Sequence, residues 1–206
     1  MSLPLRSLLR ILPHAPGGDL GGGGRPRSGL SLPPIEDIAR EHAGETVVVV
    51  THHSAHCLAG LNALLAHCPH IIVSDNASND GTPAQAQALW PQAQVLAHPH
   101  NLGFGAANNR ALSRVTTPLA FLLNPDCEIT PEGLLALMAA AEAMPDAALL
   151  APQLVTAKGQ AEVNYRWPHT LWTSQGPAAE GPCCVGFVCG AAMLFRMHRF
   201  EPVGFF

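Results

Sequence analysis

Asp126, three residues past the apolar run Leu119-Ala-Phe-Leu-Leu123, is the side chain of this sequence best placed for chemistry. A carboxylate on a loop at a strand end is a hard oxygen donor suited to Mg2+ or Mn2+, and Asn124 adds an amide oxygen two residues before it. A second acid, Asp75, follows Ile71-Ile-Val73-Ser74 and opens the polar stretch Asp75-Asn76-Ala77-Ser78-Asn79-Asp80-Gly81-Thr82. Part of that stretch reads as a helix start: Thr82 fits an N-cap, Pro83 the first helical position, Gly81 the tight entry, and Asp80 the positive end of the dipole. Asp75 lies too far upstream for capping. A carboxylate there can accept the N3–H of a uracil or thymine base, while Asx residues also end strands for structural reasons alone.

A third polar cluster, Asn101-Leu-Gly103-Phe-Gly105-Ala-Ala-Asn108-Asn109-Arg110, has glycines spaced to let backbone approach a phosphate before a helix. A dinucleotide fingerprint asks for a third glycine where Asn108 stands. Asp126 lies twenty-one residues beyond Gly105, near the distance of a ribose-binding acid. A nicotinamide-dependent oxidoreductase is therefore an alternative, although it leaves the Asp75 cluster and the Asn-Pro-Asp loop unused.

The elements that must position these residues follow from the apolar runs. Thr46-Val-Val-Val-Val50 leads into Thr51-His52-His53-Ser54, and Gln94-Val-Leu-Ala97 leads into His98-Pro99-His100-Asn101. Apolar side chains at successive positions indicate strands covered on both faces. With an Ala/Leu-rich stretch after each run, the order βαβα predicts a parallel sheet. All four polar clusters then gather along one sheet edge, where ligands of open α/β sheets lie.

The chain has 206 residues, 48% of them hydrophobic, enough for one domain with a proper core. Only 13% are charged and the formal net charge is −4, which argues against a nucleic-acid partner. No apolar stretch reaches the roughly 18 residues of a membrane span before a charge, a proline or a polar loop interrupts it. Residues 1–44 hold Arg6, Arg10, Arg25, Arg27, four consecutive glycines and Pro33-Pro34. They are expected to form a disordered tail, with no strand and dispensable for the fold, ahead of a domain over 45–206. His52 and His56, four apart, lack the glutamate of a metalloprotease helix, and Cys183, Cys184 and Cys189 lack a second pair at zinc spacing. These read as loop histidines and reduced thiols, as expected in the cytosol.

Taken together, Thr46–Thr51, Asp75–Thr82, Asn101–Arg110, Phe121–Asp126 with Glu132 downstream, and Gly186-Phe-Val-Cys-Gly190-Ala-Ala-Met-Leu-Phe-Arg196 resemble the family 2 glycosyltransferases. The Asn-Pro-Asp form of their Asp-x-Asp metal motif is similar to the rhamnosyltransferase-like branch. The resemblance covers about residues 45–206. It implies an α/β GT-A fold, a Rossmann-like sandwich with a mostly parallel central sheet, incomplete at the C-terminus. It further implies inverting transfer of a sugar from a UDP- or dTDP-sugar, dTDP-rhamnose among them, to a glycan or lipid-linked acceptor. By the same resemblance Thr51, His52, Asp75, Asn76, Asn101, Gly103 and Asn124 hold the nucleotide, and Asp126 binds Mg2+ or Mn2+. Gly190 and Ala191 then form the wall where donor sugar and acceptor meet. Family members usually carry Tyr-Asn where this chain has His52-His53. Their catalytic base follows a Phe-Asp-Glu-x-Phe-Phe stretch, which Phe200-Glu-Pro-Val-Gly-Phe-Phe206 approaches, so no residue here matches the base. The chain is accordingly expected to be a truncated donor-binding portion, with a non-catalytic sugar-nucleotide binding fragment as the alternative. Glu180 and Glu201 are the acids to examine should transfer occur. A cytoplasmic location follows, with contact at the inner membrane face left open.

Overall fold

The computed structural model describes residues 7–8, 44–156, 159–162, 165–166 and 183–206. In chain order its strands are β1 (Ser7–Leu8), β2 (Glu45–Thr51), β3 (Ile71–Asp75), β4 (Gln94–Ala97), β5 (Leu119–Leu123) and β6 (Cys127–Glu128). They continue as β7 (Leu149–Leu150), β8 (Leu154–Val155), β9 (Ala161–Glu162), β10 (Tyr165–Arg166), β11 (Phe187–Val188) and β12 (Ala192–Arg196). The helices are α1 (Leu58–Leu65), α2 (Thr82–Leu89), α3 (Phe104–Leu112) and α4 (Pro131–Ala143).

Six strands form the central sheet in the order β4-β3-β2-β5-β12-β7. The first four are mutually parallel, as the sequence predicts, while β12 runs antiparallel to both β5 and β7. Alternating side chains of each central strand serve two cores, which is why the runs are apolar at every position. Val47, Val49, Ile71, Val73, Phe121 and Leu123 join Leu61 of α1, Ala86 of α2 and Leu134 of α4 on one face. Val48, Ile72, Ala120 and Leu122 join Ala111 and Leu112 of α3, with Met193 and Phe195 of β12, on the other. The result is the helix–sheet–helix sandwich of an α/β fold.

Helix starts are set by short polar signals. Thr130 caps α4 by accepting the Gly133 N–H at 3.1 Å, with Pro131 and Glu132 in the first turn. At α2 the start lies one residue earlier than the sequence suggests. Gly81, at φ 86°, occupies the cap position and Thr82 is already helical. Asp80 takes over the capping by accepting from the Thr82 N–H at 3.1 Å. The Thr82 hydroxyl is thereby free to accept the Ser54 N–H at 3.0 Å, tying α2 to the loop after β2.

From β2 the chain moves outward through β3 and β4, then returns across α3 to β5 on the other side of β2. The strand order thus reverses between β2 and β5, the kind of switch point at which a crevice opens beyond the strand ends. Within the segment expected to lack strands, Ser7–Leu8 pairs in parallel with Cys127–Glu128 and antiparallel with β8. That two-residue pairing corrects the expectation at those positions, and the rest of 1–43 lies outside the described residues. Among the described residues no helix is long and apolar enough to cross a membrane.

Candidate functional site

Parallel register brings Thr51 of β2 directly opposite Asp75 of β3, and Asp75 opposite Ala97 of β4. Asp75 is 1% exposed, so its carboxylate needs partners within the fold. It has three: Thr51 Oγ1 donates to Oδ1 at 2.7 Å, Ser78 Oγ donates to Oδ1 at 2.6 Å, and the Ser78 N–H donates to Oδ2 at 2.9 Å. Asp75 carries a turn-closing duty, the structural role that the sequence reading left open beside base binding, because the chain reverses and returns Ser78 to it. An ionised carboxylate has about four acceptor positions. Three are filled, which leaves about one on Oδ2 for a ligand N–H.

Asn76 is also buried, and both ends of its amide are engaged. Its Oδ1 accepts the Leu102 N–H at 3.2 Å and its Nδ2 donates to the Gly103 carbonyl at 3.4 Å. It brackets the glycine loop onto the β3 loop, so its role is to hold Gly103 in place. Asn101 closes the same loop on itself by accepting the Gly103 N–H at 2.8 Å, and Gly103 needs its freedom at φ 81°. Gly105 is different: a Cβ there would stand 3.3 Å from Cβ of Phe206, so its missing side chain makes room for Phe206.

His52 and His53 stand exposed beside Asp75, with ring centroids 4.1 Å apart. His52 Nδ1 lies 2.7 Å from the Asn76 carbonyl, which can only accept, so Nδ1 carries the proton and Nε2 is turned away from that bond. His53 adopts φ 52°, a left-handed conformation unusual for a non-glycine residue, pinned by its N–H donating to Ser78 Oγ at 2.8 Å. Behind the same edge, His98 Nε2 meets Ser74 Oγ at 2.8 Å, and Ser74 donates to the Ala107 carbonyl at 3.0 Å. Burial, then the Arg110 charge, push His98 below its usual titration range, with Asp75 pulling the other way.

At the other side of the switch point, Asn124 donates its N–H to the Ala191 carbonyl at 2.9 Å, and Ala192 pairs with Leu123. The antiparallel strand β12 thereby seats Gly190 and Ala191 against the Asn124-Pro125-Asp126 loop. Asn124 is half-buried and Asp126 exposed, while the neighbouring Cys127 is buried. Burial, with the Asp126 charge next, pushes the Cys127 thiol up to about 12, so it stays protonated at neutral pH. Among the described residues no three His, Cys, Asp or Glu side chains converge as a self-sufficient metal site. The donor set at Asp126 and Asn124 is hard oxygen and open on the solvent side. It fits a divalent cation that takes its other ligands from phosphate oxygens and water.

A family model described as "Glycosyl transferase family 2" matches residues 46–200. The chain belongs to this family. Among curated proteins it is 27% identical over 197 residues to N-acetylglucosaminyl-diphospho-decaprenol L-rhamnosyltransferase of Mycobacterium tuberculosis, in two strains of that organism. The match takes in 78% of this chain and 64% of the relative, so the chain spans a little under two thirds of that protein's length. Among solved structures it resembles the mannosyltransferase PcManGT from Pyrobaculum calidifontis, in complex with GDP-Man and Mn2+, with a TM-score of 0.58 and 17% identity over 79% of this chain and 47% of that one. It also resembles S. aureus TarS in complex with UDP-GlcNAc, with a TM-score of 0.55 and 16% identity over 77% and 46% of the two chains. These neighbours are glycosyltransferases of the GT-A fold, as the sequence resemblance implies.

Within this family 2 chain, sequence reasoning missed the residues that hold the site together. Ser78 and Ser54 link the loops after β2 and β3 together with Thr82, which the sequence offered only as a helix cap, and the abundance of Ser, Thr and Asn between the apolar runs was the one hint of that linkage. Phe104, Asn109 and Phe206 were not singled out at all. The Phe104 ring occupies the space beside Gly190, where a Cβ would stand 2.9 Å from its Cε1 and Cζ. Asn109 grips the Phe206 backbone, with Nδ2 donating to the carbonyl at 3.0 Å and Oδ1 accepting the N–H at 3.2 Å. Phe205 stacks on Phe200 with ring centroids 5.7 Å apart. Glu201 is exposed, and Glu180 lies outside the described residues.

Proposed function

We propose that this chain is the donor-binding portion of an inverting glycosyltransferase that uses a UDP- or dTDP-sugar, dTDP-rhamnose among them, and a glycan or lipid-linked acceptor. The observation that carries the proposal is the alignment, along one sheet edge, of a base-reading acid and a metal-suited acid on either side of the β2/β5 switch point. Asp75 keeps about one acceptor position for a base N–H, with Thr51 and Ser78 fixing its orientation. His52 lies next to it, and Asn76 with Asn101 sets the position of Gly103. Asn124 and Asp126 supply oxygens for Mg2+ or Mn2+ at the diphosphate end, and Gly190 with Ala191 lies beside them.

A divalent cation bound there would supply Lewis-acid stabilisation of the leaving diphosphate, whose charge grows as the glycosidic bond breaks. Metal dependence is supported by the PcManGT complex with Mn2+, and a lipid-linked acceptor by the name of the mycobacterial rhamnosyltransferase. Inverting transfer also requires a base for the acceptor hydroxyl. That role is assigned to no residue described here, which keeps sugar-nucleotide binding without transfer as the second reading. The oxidoreductase alternative is disfavoured by Asn108, whose buried side chain donates to the Phe104 carbonyl at 3.0 Å where close glycine packing would be required.

Calorimetric titration of UDP and dTDP, with and without Mn2+, tests the assignment in the original chain and in Asp126→Ala. Metal should strengthen binding in the original and not in the variant. Equal strengthening in both removes Asp126 from the metal site, and no binding of either nucleotide removes the donor-site reading.

A further inference from the structure

Where the oxygens of Asn124 and Asp126 stand depends on what holds the two ends of the loop that carries them. The leading end belongs to the central sheet: Leu123 pairs with Ala192, and the Asn124 N–H donates to the Ala191 carbonyl at 2.9 Å. The trailing end runs directly from Asp126 into β6, Cys127–Glu128, which lies in a second sheet. The loop closes on itself once there, with the Cys127 N–H donating to the Asn124 carbonyl at 3.1 Å. It then takes its strand partner from far upstream. Ser7 pairs in parallel with Cys127, and Leu8 with Glu128.

Although β1 is short, it is paired on both sides. The second sheet has the order β6-β1-β8-β9, and Leu8 also pairs antiparallel with Val155 of β8. That next strand is well anchored. Leu154 and Val155 are buried, they pair with Glu162 and Ala161 of β9, and they follow closely on Leu150 of β7, which pairs with Leu194 of β12. Backbone pairing therefore runs from the trailing end of the Asp126 loop through β1 and β8 and back to β12, the strand that holds the leading end. A strand edge left to water opens locally at little cost, and β1 covers that edge at the residue after Asp126. Its two residues lie outside the stretch 46–200 that the family model matches.

We infer that Ser7–Leu8 is a positioning element for the metal end of the site, its backbone fixing Cys127–Glu128 and, through them, the Asp126 carboxylate. This inference rests on the assignment of Asp126 to a divalent cation above. A carboxylate supports a cation only while its own backbone stays within about half an ångström of the productive place, so a supporting strand tunes metal affinity without touching the metal. The base end is independent of this support. Asp75 takes its partners from Thr51 and Ser78, on β2 and the loop after β3, and none of these belongs to the second sheet. Loss of β1 should therefore weaken the contribution of the metal and leave metal-free nucleotide binding as it was.

The test uses the full chain with Leu8→Pro, which removes a backbone donor and does not fit between two paired strands, and with Ser7→Pro as a second disruption. Leu8→Val keeps the backbone groups and suits a strand, so it serves as the control. Calorimetric titration of UDP gives the ratio of affinities with and without Mn2+. Both proline variants should lose about tenfold of that ratio, the low end for a group that supports a metal ligand, with metal-free affinity unchanged, and Leu8→Val should match the original. Hydrogen exchange read by mass spectrometry supplies a measure that needs no ligand. The peptides holding Cys127–Glu128 and Leu154–Val155 should exchange faster in the proline variants, and the peptide of β2 at its original rate. An original Mn2+ ratio in Leu8→Pro and Ser7→Pro overturns the inference, as does unaltered exchange at Cys127–Glu128. An equal loss with and without metal also overturns it, by making β1 a support of the whole domain. Absence of any Mn2+ effect in the unaltered chain is a separate result: it refutes the metal assignment of Asp126 itself, and this inference with it.

Discussion

Replacing Asp75 by alanine should destabilise the fold before it says anything about ligand. The side chain is 1% exposed and accepts from Thr51 Oγ1, Ser78 Oγ and the Ser78 N–H. Hydrogen bonds to a charged group contribute about 1.5–3 kcal/mol each, but Ser78 is half-buried and water can replace its two bonds. Thr51 is 0% exposed, and its hydroxyl is the one left dry. One dry donor and two rehydrated ones give a loss of about 3 kcal/mol. In a domain of this size that lowers the unfolding midpoint by about 6–12 °C. Asp75→Asn keeps an acceptor for the two hydroxyls and turns an NH2 toward the Ser78 N–H, so its loss should be smaller, about 1–2 kcal/mol. Thr51→Val removes the donor that Asp75→Ala strands, so the double variant should be more stable than the sum of the two by about 1 kcal/mol. Urea unfolding followed by circular dichroism measures the original and the four variants. Asp75→Ala within about 0.5 kcal/mol of the original, or strict additivity in the cycle, would refute a structural role for this carboxylate. Nucleotide affinity is then compared between the original and Asp75→Asn, well below both midpoints. There the variant should bind UDP more weakly, because the amide offers a donor where the base N–H needs an acceptor.

Asp80, which accepts from the Thr82 N–H and hydroxyl and from the Ala55 N–H, is held down to about 2, chiefly by the Thr82 hydroxyl. Its lowered value means that its contribution is complete above the ordinary carboxylate range near ~3.9 and is lost as pH falls toward about 2. The Thr82 amide resonance should follow that low midpoint and lose it in Asp80→Asn; a midpoint near ~4 in the original contradicts the capping geometry. Burial pushes the Cys68 and Cys127 thiols up to about 12, while Cys183 and Cys184 are exposed. Alkylation at neutral pH, read by mass spectrometry, should label Cys183 and Cys184 in the folded chain and Cys68 and Cys127 only after unfolding. Early labelling of Cys127 would show that the Asp126 loop opens on the timescale of the reaction.

The parts of this protein that were legible in its sequence share one physical property: they are set by neighbours in the chain. Val47 to Val50, Ile71 to Val73 and Phe121 to Leu123 announce two-faced strands because each residue must enter one of two cores. Once those strands are parallel, Thr51 and Asp75 meet by register alone. The start of α2 was misplaced by one residue because Thr82 and Asp80 can both cap, and what decides between them is Ser54, twenty-eight residues upstream, which takes the Thr82 hydroxyl.

Longer-range fits left weaker traces. Gly105 and Gly190 were visible as glycines, and a glycine in a loop beside a ligand edge suggests close approach of the ligand. The structure fills both spaces with aromatic rings from elsewhere in the chain, Phe206 at Gly105 and Phe104 at Gly190. Nothing local marks a glycine as a socket for a ring eighty-six or a hundred and one residues away in sequence. The same holds for Asn76, which by type could meet a nucleotide but by burial must first satisfy the backbone of Leu102 and Gly103. The polar strand-end residues therefore divide by accessibility. Asp126 and His52 are exposed and open to a ligand, Asp75 offers about one acceptor position, and Asn76 with Ser78 fixes where those groups stand. A family motif marks all of them alike because either duty is lost when the residue changes, and only the hydrogen-bond partners separate contact from support.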